Sequence, residues 1–289
     1  MMRNIFINPS TGILRAGWRM LFFTVTLAGG GMLEGFLLKT YQDKLGPSLG
    51  YIEQFFVCVI IIAASWLSLR VLEKRPLKDL GLPLQSSSLK HLGWGVLLGG
   101  SMITLIFLFE SSTGMMSRTL LTHDISAIAV AGGLSLLLFA IGALGEELLF
   151  RGYLFQTLTV GTNKWIATGA FAVLFGTAHM ANPSVTFFSL LNIALAGIWL
   201  SIAYYRSGAL WFPFGLHFGW NFFQHWYAFP VSGGAFSSIR IFALVQSGPT
   251  WLTGGNFGPE GGALSTVVLL VTIAVLLKYD LFHTKSEVS

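Results

Sequence analysis

Long apolar runs separated by short polar stretches dominate this chain. A bilayer-crossing helix needs about 20 mostly apolar residues. Eight segments come near that length: residues 17–38, 52–69, 92–109, 126–150, 165–178, 185–204, 209–226 and 263–277. They are continuous runs, not the alternating ten-residue segments of a membrane barrel. The pattern predicts an all-α, polytopic membrane helix bundle of about eight transmembrane helices, forming one integral-membrane domain over 1–289. The fifth and eighth segments are short, which fits a tilted, extended or partly re-entrant course. The fourth can run past Phe150 to about Thr159. Two connections are long. Residues 70–91 hold a turn-bounded stretch at 76–83, with Pro76, Gly81 and Pro83 as its breakers. Residues 227–262 are rich in glycine and contain Pro230, Pro249 and Pro259, reading as a loop or interfacial segment on the bundle.

Composition narrows the class. Of 289 residues, 54% are hydrophobic and 10% charged, against about 25% charged in a soluble domain. Mean hydropathy is +0.71. A soluble globular enzyme, a disordered chain and a fibrous protein are excluded. Cys58 is the sole cysteine, so neither an intrachain disulfide nor a cysteine metal cluster can form. The net charge of +5 fits basic cytoplasmic loops, not a nucleic-acid partner. Residues 17–38 are too long for a signal-peptide core, and no small-residue cleavage site follows. Across eight spans, Lys39, Lys44, Arg118 and Arg240 fall on one side and Arg151 falls in or near a span; the other 12 of the 17 basic residues fall on the opposite side. That asymmetry predicts cytoplasmic N- and C-termini.

The second half of the chain carries few charges. Between Ile125 and Leu277 they are Glu146, Glu147, Arg151, Lys164, Arg206, Arg240 and Glu260. Three of these fall within six residues inside an apolar span. A charge at the bilayer centre costs about 2.5–3.5 kcal/mol on insertion scales, so such a cluster points to function. On a helix, Glu147 and Arg151 are i,i+4 neighbours and can pair. Glu146 lies about 100° round the axis and is left to face a polar cavity as a general base or acid. His179 ends the next apolar run, and His217 and Asn221 share one face of a later one. A bundle can bring Glu146, His179, His217 and Asn221 to one interior point. Taken singly, each has a plainer reading. Glu147–Arg151 is a structural ion pair, a lone histidine is a satisfied core group, and Asn221 glues helices. The case rests on the combination. Elsewhere, Glu34 and Glu110 are expected to reach water at span ends. His225 is expected to be structural, and His91, His123 and His283 to lie in loops. The motif-bearing core is about 126–226.

Glu-Glu-x-x-x-Arg at 146–151, Phe-x-x-x-His at 175–179 and His-x-x-x-Asn at 217–221 stand in order. Together they resemble the CPBP family, the CAAX-protease and bacteriocin-processing intramembrane proteases also called Abi or type II CAAX prenyl endopeptidase-like. The Leu-Gly-Leu pattern before the third span is also similar to bacterial members. The resemblance implies an eight-helix bundle with a site in a membrane cavity, hydrolysing a peptide bond near a substrate's C-terminus. Carried over, it implies that Glu146 activates water with His179 assisting. His217 and Asn221 would stabilise the oxyanion, and Glu147 and Arg151 would support them. It leaves metal dependence open, since Glu146, His179 and His217 are also a plausible zinc or other divalent-metal set. The expected setting is a bacterial cytoplasmic membrane. The expected partners are membrane lipid and a peptide or membrane-anchored protein substrate, with no nucleic acid. A non-proteolytic scaffold or bacteriocin self-immunity protein, and a proton-coupled transporter, are the competing classes. One geometric condition follows. His179 comes about 21 Å of helical rise into the fifth segment, so it meets Glu146 if that helix is tilted or starts deeper, or if the fourth helix continues beyond Arg151, which is the expected case.

Overall fold

The computed structural model describes residues 3–9, 11–46, 49–234, 241–279 and 281–282. His283, Lys285 and Arg240 lie outside them. Helices α1 (Arg3–Phe6), α2 (Ala16–Leu45), α3 (Leu49–Ser68) and α4 (Ser86–Ser112) precede strand β1 (Met116–Leu120). Then come α5 (Ile125–Arg151), α6 (Tyr153–Gly161), α7 (Lys164–Ala178), α8 (Phe187–Ser207) and α9 (Trp211–Trp226). Strand β2 (Phe242–Gln246), α10 (Thr250–Thr253) and α11 (Ala263–Lys278) complete the order. All eight predicted apolar segments are helical, and the protein is a mostly helical, multi-pass membrane bundle. Large apolar side chains such as Phe36, Phe55, Leu105, Leu137 and Val173 point outward, as they do when the outer solvent is lipid.

The spans are unequal. Five stretches are long and apolar enough to cross a membrane: Ala16–Leu45, Leu49–Glu73, Ser86–Ser112, Ile125–Gly161 and Phe187–Ser207. By contrast, α7, α9 and α11 have 15, 16 and 16 residues. At about 1.5 Å of rise per residue they fall short of a ~30 Å hydrocarbon core. The expected eight spans are thus five long helices and three short ones packed among them.

Three expectations are corrected. The 227–262 connection is not loop alone: β2 pairs antiparallel with β1, in register from Met116↔Gln246 to Leu120↔Phe242. That pairing joins positions more than 100 residues apart, so no local pattern announces it. Glu110 does not reach water. It is fully buried at the end of α4, where its Oε2 accepts from Gln246 Nε2 on β2 at 3.2 Å. His91, expected in a loop, sits in α4 against the Phe282 ring.

Two local features set the positions of the site residues. The first is the break after α5. The Asp124 carboxylate caps the start of α5 by accepting from Ser126 N at 2.9 Å. The helix stops at Gly152, where a Cβ would collide with the Leu148 carbonyl oxygen. The chain resumes at once as α6. From Glu146 to the end of α6 is 15 residues, and from the start of α7 to His179 is also 15. Equal lengths out and back, about 22 Å each, return His179 to the level of Glu146. The condition that the fourth helix continue beyond Arg151 is met, with an interruption at Gly152.

The second feature is the seam between α4 and α9. Gly95 and Gly99 face Gly215 and Gly219, a small-xxx-small pair on each helix. A Cβ on Gly95 would lie 2.5 Å from the Phe212 carbonyl oxygen, and one on Gly219 would lie 2.5 Å from that of Val96. His217 lies between the two α9 glycines in sequence, hence on the opposite face at about 100° per residue. Closing the seam therefore turns His217 and Asn221 inward. Gly219→Val is expected to lower the thermal unfolding midpoint in detergent and to deplete the folded peak in size exclusion. Overpacking costs about 1–3 kcal/mol, and here backbone must move. An unchanged midpoint would contradict the seam.

Candidate active site

A cavity of about 360 Å³ opens among α5, α7, α8 and α9, and Glu146, His179, His217 and Asn221 all line it. The four polar groups singled out in the sequence therefore share one space. Glu147 and Arg151 stand behind it, both fully buried.

The core of the arrangement is a chain of charged hydrogen bonds. Arg151 Nη1 donates to Glu147 Oε1 at 3.1 Å, and its Nη2 donates to the Gly197 carbonyl on α8 at 2.9 Å. Its guanidinium also lies 4.8 Å from the centre of the Phe175 ring on α7. One arginine thus ties three helices together. Glu147 also accepts from His217 Nδ1 at 2.9 Å, through the same Oε1. The ion pair is real, but Glu147 also orients an imidazole. An ionised carboxylate only accepts, so Nδ1 carries a proton and Nε2 is the ring atom turned to the cavity. That Nε2 lies 3.8 Å from Glu146 Oε2, beyond hydrogen-bond length. Glu146 Oε2 has no hydrogen-bond partner among the described residues. The Glu146 side chain is 35% exposed, against none for Glu147. Adjacent in sequence, the two glutamates thus differ by their place round the helix: one is consumed by structure and one is free.

His179 caps the C-terminus of α7. Its Nδ1 lies 2.7 Å from the Phe175 carbonyl oxygen, which can only accept. The ring therefore carries Nδ1–H and has Nε2 available. Phe175 stands between the histidines, with ring centres 4.9 Å from His179 and 6.1 Å from His217.

The cavity has a polar wall that the sequence reading missed. Glu260 is buried at 9% exposure. Its Oε2 accepts from the Ser232 backbone N–H, from Ser232 Oγ at 3.0 Å and from Gln224 Nε2 at 3.3 Å. Asn182 Nδ2 donates to the Ser232 carbonyl at 2.9 Å. Asn192 Nδ2, in the second turn of α8, donates to the carbonyls of Glu260 and Gly262 at 2.9 and 3.0 Å. Burial pushes the Glu260 carboxyl above the usual carboxylate range, opposed by the Ser232 and Gln224 donors and by nearby His179. The available signal was Glu260 itself, one of few charges in the apolar half. It was lost in a Gly/Pro-rich connection read as loop.

Among the described residues, no three His, Cys, Asp or Glu side chains come together as a metal-holding group. Both Nδ1 atoms are taken, by Glu147 and by the Phe175 carbonyl, which leaves Nε2 as the free ring atom of each histidine. Glu146, His179 and His217 line one cavity.

The uncharacterized protein YyaK of Bacillus subtilis (strain 168) is 23% identical over 241 residues, 80% of this chain and 75% of that protein. Residues 129–223 hold Glu146, Glu147, Arg151, His179, His217 and Asn221, and they match the family model described as Type II CAAX prenyl endopeptidase Rce1-like.

Proposed function

We propose that this protein is an intramembrane endopeptidase that hydrolyses a peptide bond in a membrane-associated or C-terminal peptide segment. The observation that carries the reading is Glu146. It is a carboxylate with an unpartnered oxygen, facing a cavity shared with two histidines and an asparagine from two other helices. The Rce1-like match over the same residues supports it.

In this mechanism Glu146 takes a proton from water entering the cavity. The hydroxide oxygen bonds to the scissile carbonyl carbon, and the carbonyl electron pair moves onto its oxygen. Nε2–H of the doubly protonated His217 and the Asn221 amide donate to that oxyanion. Such pre-aimed donors are strongest in a dry site. The C–N bond then breaks as the proton leaves Glu146, assisted by His179 Nε2, for the departing amine. Glu147 and Arg151 hold His217 in its working orientation. The lysine and arginine asymmetry supports cytoplasmic N- and C-termini in a cell membrane.

The test is a fluorescence-quenched peptide library offered to detergent-purified protein, with products read by mass spectrometry and with and without chelator. Cleavage that survives the chelator is expected. No cleavage of any peptide, together with Glu146→Gln behaving as wild type in cells, would overturn the reading in favour of a scaffold.

A further inference from the structure

The mechanism above leaves Glu260 without a task. Glu260 lies 37 positions beyond the end of the family match at residue 223, on the 3-10 turn Pro259–Gly261 just before α11. Its placement is over-determined. Asn192 grips the carbonyls of Glu260 and Gly262, and its own Oδ1 accepts from Thr266 Oγ1 on α11 at 2.7 Å. Ser232 presents both its N–H and its hydroxyl to the carboxylate from a left-handed backbone conformation, φ 47°. A non-glycine residue in that region is strained. Gln224, in the last turn of α9, supplies the third donor.

All three donors fall on Oε2. Oε1 accepts no hydrogen bond among the described residues, although a carboxylate offers about four lone-pair sites. One oxygen is thus anchored, and the other is left over in a residue that lines the cavity. The charge is left over as well. Glu147 pairs with Arg151 and His217, and Glu146 lies 3.8 Å from His217. Among the described residues no lysine, arginine or histidine forms an ion pair with Glu260, and the donors on its Oε2 are all neutral. A buried charge held only by neutral donors is undercompensated, and a cation entering the cavity would complete it. Val231, Ile193 and Leu269 line the same cavity. Such a wall fits the apolar stem of a long basic side chain, whose charged tip needs a polar partner.

From this we infer that Glu260 is a specificity-determining residue: its Oε1 receives the ammonium or guanidinium of a lysine or arginine in the substrate peptide. The inference rests on the endopeptidase reading and names the substrate class of that site, a basic peptide segment. It gives the choice of substrate to the C-terminal segment, while the groups that act on the peptide bond lie within 129–223.

The test uses N-acetylated peptides, so that side chains alone carry positive charge. On a peptide that the wild type cleaves, lysine is scanned position by position against norleucine, its neutral near-isostere. At one position lysine should raise kcat/KM at least about tenfold, because a site whose own buried polar group is left unpaired rejects the analogue lacking the partner. In Glu260→Gln that ratio should fall to near one. The amide keeps its oxygen on Ser232 and Gln224 and turns its NH₂, a donor, to the cavity. Its unfolding midpoint should stay that of wild type, since the oxygen still serves all three donors. In Glu260→Lys the preference should invert, with glutamate favoured over lysine. No lysine preference at any position, or one unchanged in Glu260→Gln, would overturn this inference and leave the endopeptidase reading standing. A second readout needs no turnover. Glu146→Gln protein is loaded with the pooled N-acetylated library, and the retained peptides are read by mass spectrometry. They should be enriched in lysine and arginine, and Glu146→Gln/Glu260→Gln should lose that enrichment. The net charge of +5 disfavours non-specific uptake of cations, so enrichment points to a local acid. If the wild type cleaves no peptide, this measurement still decides: no enrichment, or equal enrichment in both proteins, would overturn the inference.

Discussion

Glu146→Gln is expected to lower peptide turnover by about 10²–10⁴, the range for losing a positioned general base, with little change in fold. The argument is geometric. Glu146 Oε2 has no hydrogen-bond partner among the described residues, and His217 Nε2 is 3.8 Å away. Replacing the carboxylate by an amide of equal size breaks no structural bond, so the unfolding midpoint should stay near that of wild type. The amide cannot accept a proton from water at neutral pH. Each tenfold loss corresponds to about 1.4 kcal/mol of barrier, so the upper end approaches 5–6 kcal/mol without any cost in stability. Turnover measured on purified protein, alongside thermal unfolding of the same sample, checks both halves. Full activity would remove Glu146 from the chemistry; a collapsed fold would show that it is structural.

Arg151→Met is expected to do the opposite, with its main effect on stability. Arg151 and Glu147 are both fully buried, and Arg151 also holds the Gly197 carbonyl and stacks on Phe175. Removing one member of a buried ion pair strands the other, at a typical cost of about 3–5 kcal/mol. The double variant Glu147→Gln/Arg151→Met leaves no stranded charge and should recover most of that loss. It should not recover activity, since His217 Nδ1 then lacks a charged acceptor. Unfolding midpoints of wild type and the three variants form the cycle. Recovery of both stability and turnover in the double variant would reduce the pair to scaffolding.

The contrast between these neighbours shows what was legible and what was not. That Glu147 meets Arg151 and Glu146 does not follows from a helix with 3.6 residues per turn, so spacing alone assigned the partner and the free carboxylate. That Glu147 also holds His217, 70 positions away, could not be read from spacing. It depends on two glycine pairs closing α9 onto α4. The placement of His179 was half legible. Helical rise showed that a long fourth helix was required, but not the interruption at Gly152 that delivers α6. Glu110 was misread because β2, its cover, comes from a connection with no apolar periodicity.

By itself, then, the sequence determined the membrane class, the places of the apolar helices, and the residue types that could do chemistry. These follow from local quantities: apolar run length, helical period and the cost of a buried charge. The tertiary structure decided that α9 is as short as α7 and α11, that one cavity gathers residues from three helices, and that Glu260 belongs to its wall. Those outcomes depend on contacts between distant segments, on backbone approach at Gly95, Gly99, Gly215 and Gly219, and on hydrogen bonds such as Asn192 to the carbonyls of Glu260 and Gly262. Their energies exist only once the chain has packed.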